Sequence, residues 1–484
     1  MRTGSFVHGF VFARQNLISE VRNSFRLANI ALKQIPSYDP GHFLGVQQSE
    51  DMVQPTAIEE DNRHTIQGCK TKLMDHQMKA IKFIQRSEST LVSTPLEIWN
   101  DPDNQWVHIV FEDAVQKGYL KRDVKFDAKG CILADDMGLG KTLTTLSAIQ
   151  LSSEEALQFS RQEPNVPYLK PTSATLIICP LSTLENWKNE INIHFIRDSL
   201  PFKTFYGRDK CTIEFKDIAQ VAVVLATYES VVTQIKSSQQ EGSRNATEGR
   251  TMGLDFSSIK WFRIVLDEAH YLKDPRTNRS SVILGLEAER RLCLTGTPLQ
   301  NQLGDLHSLI KFIRIEPWTE NSIWKNCIES PVEMCDPRGI STLQTIMNRI
   351  SMRRLKTTIL SLPEKIETII NLALKTPWNE TYERNHKAFS DQFGKNRTGG
   401  QGWNSSSFFA DLVDLRQLCN HPALTEKGIG TKKYSWNESS KIVHLVQDLK
   451  LFLASGAQFR AVIFSEFKRF LEISINVVSE LKSL

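Results

Sequence analysis

The chain has 484 residues and a formal net charge of +4, with 40% hydrophobic and 24% charged residues. These fractions are those of an ordinary globular protein, and the length exceeds what one hydrophobic core usually supports, which predicts about three structural units. The positive charge permits nucleic-acid binding, but it is too small to argue for such binding alone. No apolar run is long enough to span a bilayer, so we expect no membrane partner.

The N-terminal 65 residues contain arginines, apolar residues and Glu20, but not the continuous apolar core of a secretory signal. We expect a variable segment with an amphipathic helix here, and organelle targeting is the alternative. The eight cysteines are scattered and form no C-x-x-C pair. This spacing predicts a reducing compartment and no structural zinc.

A glycine-spaced turn lies within ILADDMGLGKTLTTLSAI (132–149). Residues 132–134 have the pattern of the end of a buried strand, whereas the residues from Leu143 onward have the periodicity of a helix. Gly138 and Gly140 allow backbone geometry that is closed to other residues. A strand, a glycine turn and a helix N-terminus direct backbone N–H groups at one point, which suits a phosphate.

Lys141 and Thr142 follow the glycine turn, as in a P-loop. In such a loop the lysine reaches the outer phosphates and the hydroxyl binds magnesium. The first glycine of the pattern G-x-x-x-x-G-K-[ST] falls at the position where this chain has Asp135. A strand-to-helix turn with a solvated lysine is the alternative that this short motif leaves open.

Apolar runs that end in polar or small residues recur after this turn. Runs that are apolar on both faces, separated by segments of helix length, predict a parallel sheet covered by helices, with the ligand at the carboxyl ends of the strands. Polar loops rich in glycine and serine are expected at 234–253 and 393–407. The runs are TLIICP (175–180), VAVVLATY (221–228), FRIVLDEAH (262–270) and RLCLTGTP (291–298).

An acidic pair follows the third of these runs, in VLDEAH. Asp267 follows a hydrophobic strand, as required of the carboxylate that holds magnesium in a nucleotide site, and Glu268 can orient the attacking water. An acidic pair after a strand is common in any protein. Its position after a GLGKT turn, with a strand between the two motifs, is uncommon and predicts a site for nucleotide hydrolysis.

The chain carries, in this order, ILADDMGLGKT, LIICPLSTLENW, LATYES, VLDEAH, LTGTPLQN, LRQLCNHP and VIFSEF. In these motifs it resembles the Swi/Snf-type helicase-like ATPases of helicase superfamily two, from about Leu73 to its last residue. LIKFIRIEPW (309–318) and MRRLK with LPEK (352–365) resemble the branch that contains DNA-damage-tolerance translocases and helicase-like transcription factors. Some members of that branch carry a cysteine-rich RING insert, whereas no cysteine follows Cys419 here.

The resemblance assigns the nucleotide site residue by residue. MDHQ (74–77) resembles the adenine-reading element, with Gln77 as the base contact, and a helix-surface glutamine is the alternative. The implied catalytic residues are Lys141, Asp267 and Glu268, and the implied magnesium ligands are Thr142 and Asp267. The implied ATP-binding residues are Gln77, Asp136, Met137, Gly138, Leu139, Gly140, Lys141 and Thr142.

Two further sets of residues are implied by the resemblance. Thr295, Gly296 and Thr297 resemble the motif that links the γ-phosphate state to lobe movement. A DNA strand is expected to be bound through hydroxyls and main-chain amides at strand ends, which donate to backbone phosphates and carry no sequence information. The implied DNA-contacting residues are Ser182, Thr183, Trp187, Thr227 and Tyr228.

The resemblance implies a nuclear, ATP-dependent DNA translocase that uses ATP and magnesium, in chromatin remodelling or DNA repair. Such a motor tracks duplex DNA without reading bases or separating strands, and nucleosomes or DNA-bound proteins are its further expected partners. A non-catalytic module that binds ATP, DNA or other proteins without turnover is the alternative.

The implied fold class is α/β: a RecA-like P-loop lobe whose parallel sheet has helices on both faces, a helical linker and an incomplete second RecA-like lobe. The second lobe is expected to start near Lys441 and to offer one strand at AVIFSEF (461–467). Arginines of a second lobe stabilise charge on the transferring phosphoryl group. We therefore expect weak or no turnover from this chain alone.

The expected domain bounds follow from these motifs. The stretch 91–129 has no assignment, and we expect mainly helical structure at 311–363 and 378–421. The bounds are 1–65 for the variable N-terminal segment, 66–315 for the first lobe, 316–435 for the helical protrusion and linker, and 436–484 for the start of the second lobe.

Overall fold

The fold is described from a computed structural model. Its described residues are 65–89, 105–118, 129–163, 168–207, 213–244, 254–272, 277–296, 303–334, 336–360, 364–393, 404–425, 435–455 and 461–482. The predicted N-terminal segment lies outside these residues, apart from Thr65. Among the described helices, none has the length and apolar character needed to cross a bilayer. The chain divides into two compact units, Met1–Leu362 and Pro363–Leu484.

Within the described part of the first unit, seven parallel strands form one sheet in the order β3-β4-β2-β5-β6-β1-β7. Cys131 of β1 pairs with Leu292 of β6, and Ile177 of β2 pairs with Val265 of β5. The strands are β1 (Gly130–Leu133), β2 (Lys170–Cys179), β3 (Phe202–Phe205), β4 (Val223–Thr227), β5 (Ile259–Leu266), β6 (Glu287–Leu294) and β7 (Ser351–Met352).

Helices cover both faces of the sheet, because successive side chains of a strand point in opposite directions. On one face, Ile132 and Ile264 belong to a buried cluster that includes Trp324. On the other face, Leu133 packs in a second cluster with Leu146 of the helix after β1. A parallel sheet between two layers of helices confirms the predicted fold class.

Helices and short turns connect the strands of the first unit. The helices are Asp75–Glu88, Gln105–Gln116, Lys141–Leu151, Ser153–Ser160, Leu181–His194, Phe215–Ala219, Tyr228–Arg244, Asn278–Leu284, Leu303–Ile313, Asn321–Trp324, Ser330–Glu333, Pro337–Ile350 and Lys356–Ile359. A π-helical turn lies at Lys325–Glu329, and 3₁₀ turns lie at Phe256–Ser258 and Ala269–Tyr271.

The strands predicted from apolar runs in the first unit are confirmed as β1, β2, β4, β5 and β6. The short edge strands β3 and β7 lack the continuous buried run that marks the others, so the sequence does not reveal them. The loop predicted at 234–253 is wrong as far as Arg244, because the helix that begins at Tyr228 continues to that residue. Val231 and Ile235 of this helix are buried one helical turn apart. A helix that buries one face can carry polar residues on its other face, so the polar composition of this stretch does not require a loop.

Two further helical segments pack on the core of the first lobe, and one of them lies beyond the predicted bound at 315. Helix Gln105–Gln116, in the stretch without an assignment, buries Val107 and Ala114. The helices between 321 and 350, predicted as part of the linker, bury residues such as Ile346 in the same cluster as the sheet. The first compact unit therefore extends beyond 315, to Leu362.

The regular elements that the structure describes in the second unit are all helices, and Ile442, Val446 and Phe470 belong to its small buried cluster. The strand predicted at 461–467 is wrong: no described strand pairs with this segment, and Val462 and Phe464 are 72% and 89% exposed. A single strand without neighbours has no backbone partner in a sheet and cannot bury its apolar side chains. The helices are Trp378–Phe393, Ser405–Leu418, Ser440–Ala454 and Lys468–Lys482, with 3₁₀ turns at Pro422–Leu424 and Trp436–Glu438.

Candidate functional site

The loop between β1 and the next helix, residues 134–140, is here called the phosphate loop. Gly138 and Gly140 have φ of 88° and 80°, in the left-handed region that favours glycine. A Cβ added to Gly140 would meet Nε2 of Gln77, so a larger residue there would displace the Gln77 amide as well as strain the backbone. Among the described residues no side chain caps the helix that starts at Lys141, which leaves N–H groups of its first turn for an anion.

Lys141 points back into the phosphate loop. Its Nζ donates to the carbonyl oxygens of Asp135 at 2.7 Å and Asp136 at 3.3 Å. Burial lowers the pKa of Lys141 below that of an ordinary lysine, while the carboxylates of Glu268, Asp135, Asp267 and Asp136 oppose that shift. The ammonium is thus held by neutral carbonyl groups, and an anionic ligand can replace those contacts with stronger ones.

Asp267 follows β5 and is oriented by several donors. Its Oδ2 accepts hydrogen bonds from Oγ1 of Thr183 at 3.1 Å and from Nε1 of Trp187 at 2.8 Å. Its Oδ1 accepts from the backbone N–H of Glu268 at 3.0 Å, and its backbone carbonyl accepts from the Tyr228 hydroxyl at 2.9 Å. Carboxylate oxygens keep further lone pairs when they accept such bonds, so the group is fixed yet still able to bind a cation.

Glu268 has a φ of 47°, which places a residue other than glycine in the left-handed region. Backbone strain of this kind persists where the surrounding structure enforces it, and it clusters at functional sites. The buried Oε2 of Glu268 lies 3.1 Å from Nδ1 of His270, without the alignment of a hydrogen bond. Among the described residues this oxygen has no other partner, so it is free to accept a proton or a hydrogen bond from a bound water.

Gln77 lies against the phosphate loop from helix Asp75–Glu88. Its side chain is buried, which argues against the alternative of a helix-surface glutamine. Its Oε1 accepts from the backbone N–H of Met74 at 2.9 Å, so the amide is fixed with Nε2 beside Gly140. The role of Gln77 as a base contact stays a prediction.

Comparison with known proteins identifies the family. The family model described as SNF2-related domain matches residues 76–424. The chain belongs to this family. DNA repair proteins RAD5B and RAD5A of Arabidopsis thaliana are each 34% identical to it, over 64% of this chain and over 25% and 33% of their own lengths. The helicase-like transcription factor of Homo sapiens is 31% identical, over 60% of this chain and 28% of its own.

This SNF2-related chain thus matches only 25% to 33% of the length of these relatives. A solved structure, the Sulfolobus solfataricus SWI2/SNF2 ATPase core in complex with dsDNA, is similar with 24% sequence identity and a TM-score of 0.42, covering 85% of this chain and 71% of that one. The family match confirms the predicted resemblance to Swi/Snf-type ATPases, and the names of the relatives agree with the predicted branch.

The predicted coupling residues of this SNF2-related chain lie beside the phosphate loop. Thr295 is buried, and its N–H donates to the carbonyl of Leu133 at 3.1 Å. A Cβ added to Gly296 would lie 3.3 Å from Cγ of Met137, so the end of β6 packs directly on the loop. Thr297 lies outside the described residues. The coupling role stays a prediction.

The predicted DNA contacts differ in exposure. Ser182 is exposed at the start of helix Leu181–His194, whereas Trp187, Thr227 and Tyr228 are at most 1% exposed. The Thr227 hydroxyl accepts a hydrogen bond from a backbone N–H of the helix that follows it. Trp187, Tyr228 and the partly buried Thr183 each donate a hydrogen bond to Asp267. Direct contact of the buried side chains with DNA stays a prediction and requires a conformation that exposes them.

Two basic residues without an assigned role in the sequence analysis, Arg354 and Lys356, also reach the phosphate loop. Arg354 forms a buried ion pair with Asp135. The signal in the sequence is Asp135 itself, an acid at a position where the P-loop pattern has glycine. A buried charge needs a partner, so this departure indicates a buried base elsewhere in the chain, although it does not indicate which one.

Proposed function

We propose that this chain is the ATP- and DNA-binding part of a Swi/Snf-type ATPase that moves along duplex DNA without separating its strands. The observation that carries the proposal is the convergence of Lys141, Asp267 and Glu268 at the carboxyl edge of one parallel sheet, where both carboxylates act on the lysine ammonium. The names of the relatives support an association with DNA repair. A nuclear location and substrates in chromatin are part of the proposal.

The side chains at this edge have distinct proposed roles in hydrolysis. Lys141 exchanges its two carbonyl contacts for phosphate oxygens, because hydrogen bonds to a charged acceptor are stronger. Thr142 and Asp267 are the residues that would hold magnesium, which when bound neutralises charge on the phosphates. Glu268 orients the attacking water and accepts its proton.

Helix Leu181–His194 gives DNA a physical connection to this site. Ser182 offers a hydroxyl to a backbone phosphate at the exposed start of the helix. Thr183 and Trp187 on the same helix donate to Asp267. A DNA strand bound at the start of the helix is therefore linked to the proposed magnesium ligand by one rigid element.

Lys141→Ala is expected to weaken Mg·ATP binding by about a hundredfold or more, because it removes two charge-assisted hydrogen bonds of about 1.5–3 kcal/mol each. Titration of a fluorescent ATP analogue in the presence of magnesium measures the affinity. Lys216→Ala removes an exposed lysine of the same unit and is expected to bind like the wild type. Equal binding by the wild type and Lys141→Ala would count against the phosphate loop.

Binding to duplex DNA is expected to weaken at least about tenfold between about 50 and 200 mM salt and to vary little with sequence, because phosphate contacts release counterions. Fluorescence anisotropy with two duplexes of unrelated sequence measures both effects. A strong preference for one duplex that survives at the higher salt concentration would instead indicate a protein that reads bases.

A further inference from the structure

Residues 351–356, here called the strap, run alongside the phosphate loop. The strap begins with β7, which pairs in parallel with β1. The N–H of Ala134 donates to the carbonyl of Met352 at 2.7 Å, and the N–H of Asp136 donates to the carbonyl of Arg354 at 3.0 Å. The backbone of the phosphate loop is therefore paired with the strap along its first half.

Side chains reinforce this pairing. Nε of Arg354 donates to Oδ1 of Asp135 at 3.0 Å, and a second guanidinium nitrogen contacts Oδ2 of the same carboxylate. A further guanidinium nitrogen donates to the carbonyl of His76 at 2.6 Å. Oδ2 of Asp136 accepts from the backbone N–H of Lys356 at 2.9 Å. Both acidic residues of the loop thus have partners that fix the strap against it.

These contacts leave the ammonium of Lys356 over the middle of the phosphate loop. A Cβ added to Gly138 would lie 3.1 Å from Nζ and 3.6 Å from Cε of Lys356. Lys356 is partly buried, and its Nζ has no ion pair or hydrogen bond among the described residues. The carboxylate of Asp136 accepts from the backbone N–H of Lys356 instead. An unpaired cation is thus fixed beside a loop whose geometry suits an anion.

We propose that Lys356 is a second cation of the nucleotide site and binds the phosphate chain together with Lys141. This inference rests on the proposed nucleotide-binding function. A nucleotide remains negatively charged with one magnesium ion bound, and a second ammonium in a partly buried place lowers the free energy of that charge. The strap supplies this cation from a distant part of the chain. Lys356 and Asp136, which are joined by a hydrogen bond, are 220 positions apart in the sequence.

Lys356→Met is expected to weaken Mg·ATP and Mg·ADP binding by about tenfold, equivalent to about 1.4 kcal/mol, because it removes the charge but keeps the backbone N–H that Asp136 accepts. Lys356→Arg is expected to stay within about threefold of the wild type, since it retains a cation. Lys216→Met is the matched control for loss of one lysine charge. Titration of the fluorescent analogue measures each affinity, and thermal unfolding reports whether each variant is folded.

A second measurement needs no variant. Acetylation of lysines in the wild-type chain by an amine-reactive reagent, followed by peptide mass spectrometry, is expected to slow about fivefold or more at Lys356 when Mg·ATP is added, and to stay unchanged at Lys216. The inference is overturned if Lys356→Met binds Mg·ATP with wild-type affinity, or if Lys356 is acetylated equally with and without nucleotide. Lys141→Ala tests the proposed function independently of either result. A wild-type chain that binds no Mg·ATP overturns both.

Discussion

Glu268→Gln is expected to slow ATP hydrolysis by about a hundredfold or more while Mg·ATP binding stays within about threefold of the wild type. Removal of a positioned general base costs about 10²–10⁴ in rate. The substitution keeps the size of the side chain and spares Lys141 and Asp267, which bind the ligand. The backbone N–H at position 268 still donates to Oδ1 of Asp267, so the magnesium ligand keeps its orientation.

The assay for this prediction must resolve a slow reaction. Single-turnover hydrolysis of radiolabelled ATP, with the chain in excess and with or without duplex DNA, measures the chemical step directly. Glu185→Gln, at an exposed glutamate on helix Leu181–His194, is the matched control and is expected to react like the wild type. Hydrolysis at the wild-type rate in Glu268→Gln would assign the activation of water to another group.

The pH of that assay matters because Glu268 also acts on Lys141. Burial lowers the pKa of Lys141, and Glu268 is the strongest of the carboxylates that oppose this shift. Glu268→Gln therefore lowers the pKa of Lys141 further, and a deprotonated lysine binds phosphate weakly. Measuring Mg·ATP affinity at several pH values separates an effect on hydrolysis from an effect on binding, because loss of the Lys141 proton weakens binding as the pH rises.

The central strands and the acidic pair could be predicted because continuous apolar runs in the sequence indicate both the strands and the places where the strands end. A strand buried on two faces is a continuous apolar run, and in a parallel sheet the run ends at the edge where ligands bind. Asp267 after β5 and the glycine turn after β1 therefore fall at the same edge. The sequence order of these motifs is enough to bring Lys141 and Asp267 together once the sheet is parallel.

The strap could not be predicted, because nothing local marks it. Its strand β7 has two residues, too few for a periodic pattern, and Arg354 is 219 positions from Asp135. The sequence also could not show that Trp187 and Tyr228 are buried donors to Asp267, since Trp and Tyr side chains have an apolar body and a polar tip and suit either a core or a surface. Side-chain hydrogen bonds across the sheet edge depend on tertiary packing that periodicity does not encode.

Arg354→Ala is expected to destabilise the first unit by about 3–5 kcal/mol, because it leaves the buried carboxylate of Asp135 without its cation. For a unit of this size the loss corresponds to a fall in Tm of about 5 °C. Arg338→Ala is the matched control, since Arg338 pairs with Asp336 at the surface and exposed pairs contribute about 1 kcal/mol or less. Thermal unfolding of both variants, followed by circular dichroism, measures the difference.

A double substitution separates loss of the pair from loss of packing. Asp135→Gly with Arg354→Met removes both charges and restores the glycine that the P-loop pattern has at position 135, so it is expected to recover about half of the lost stability. Without the ion pair, the strap is held to the loop mainly through its backbone, and Lys356 is less firmly placed. The double variant is therefore expected to regain stability without regaining full Mg·ATP affinity. Equal falls in Tm for Arg354→Ala and Arg338→Ala would show that Asp135 is solvated in solution and that the strap is not fixed by this pair.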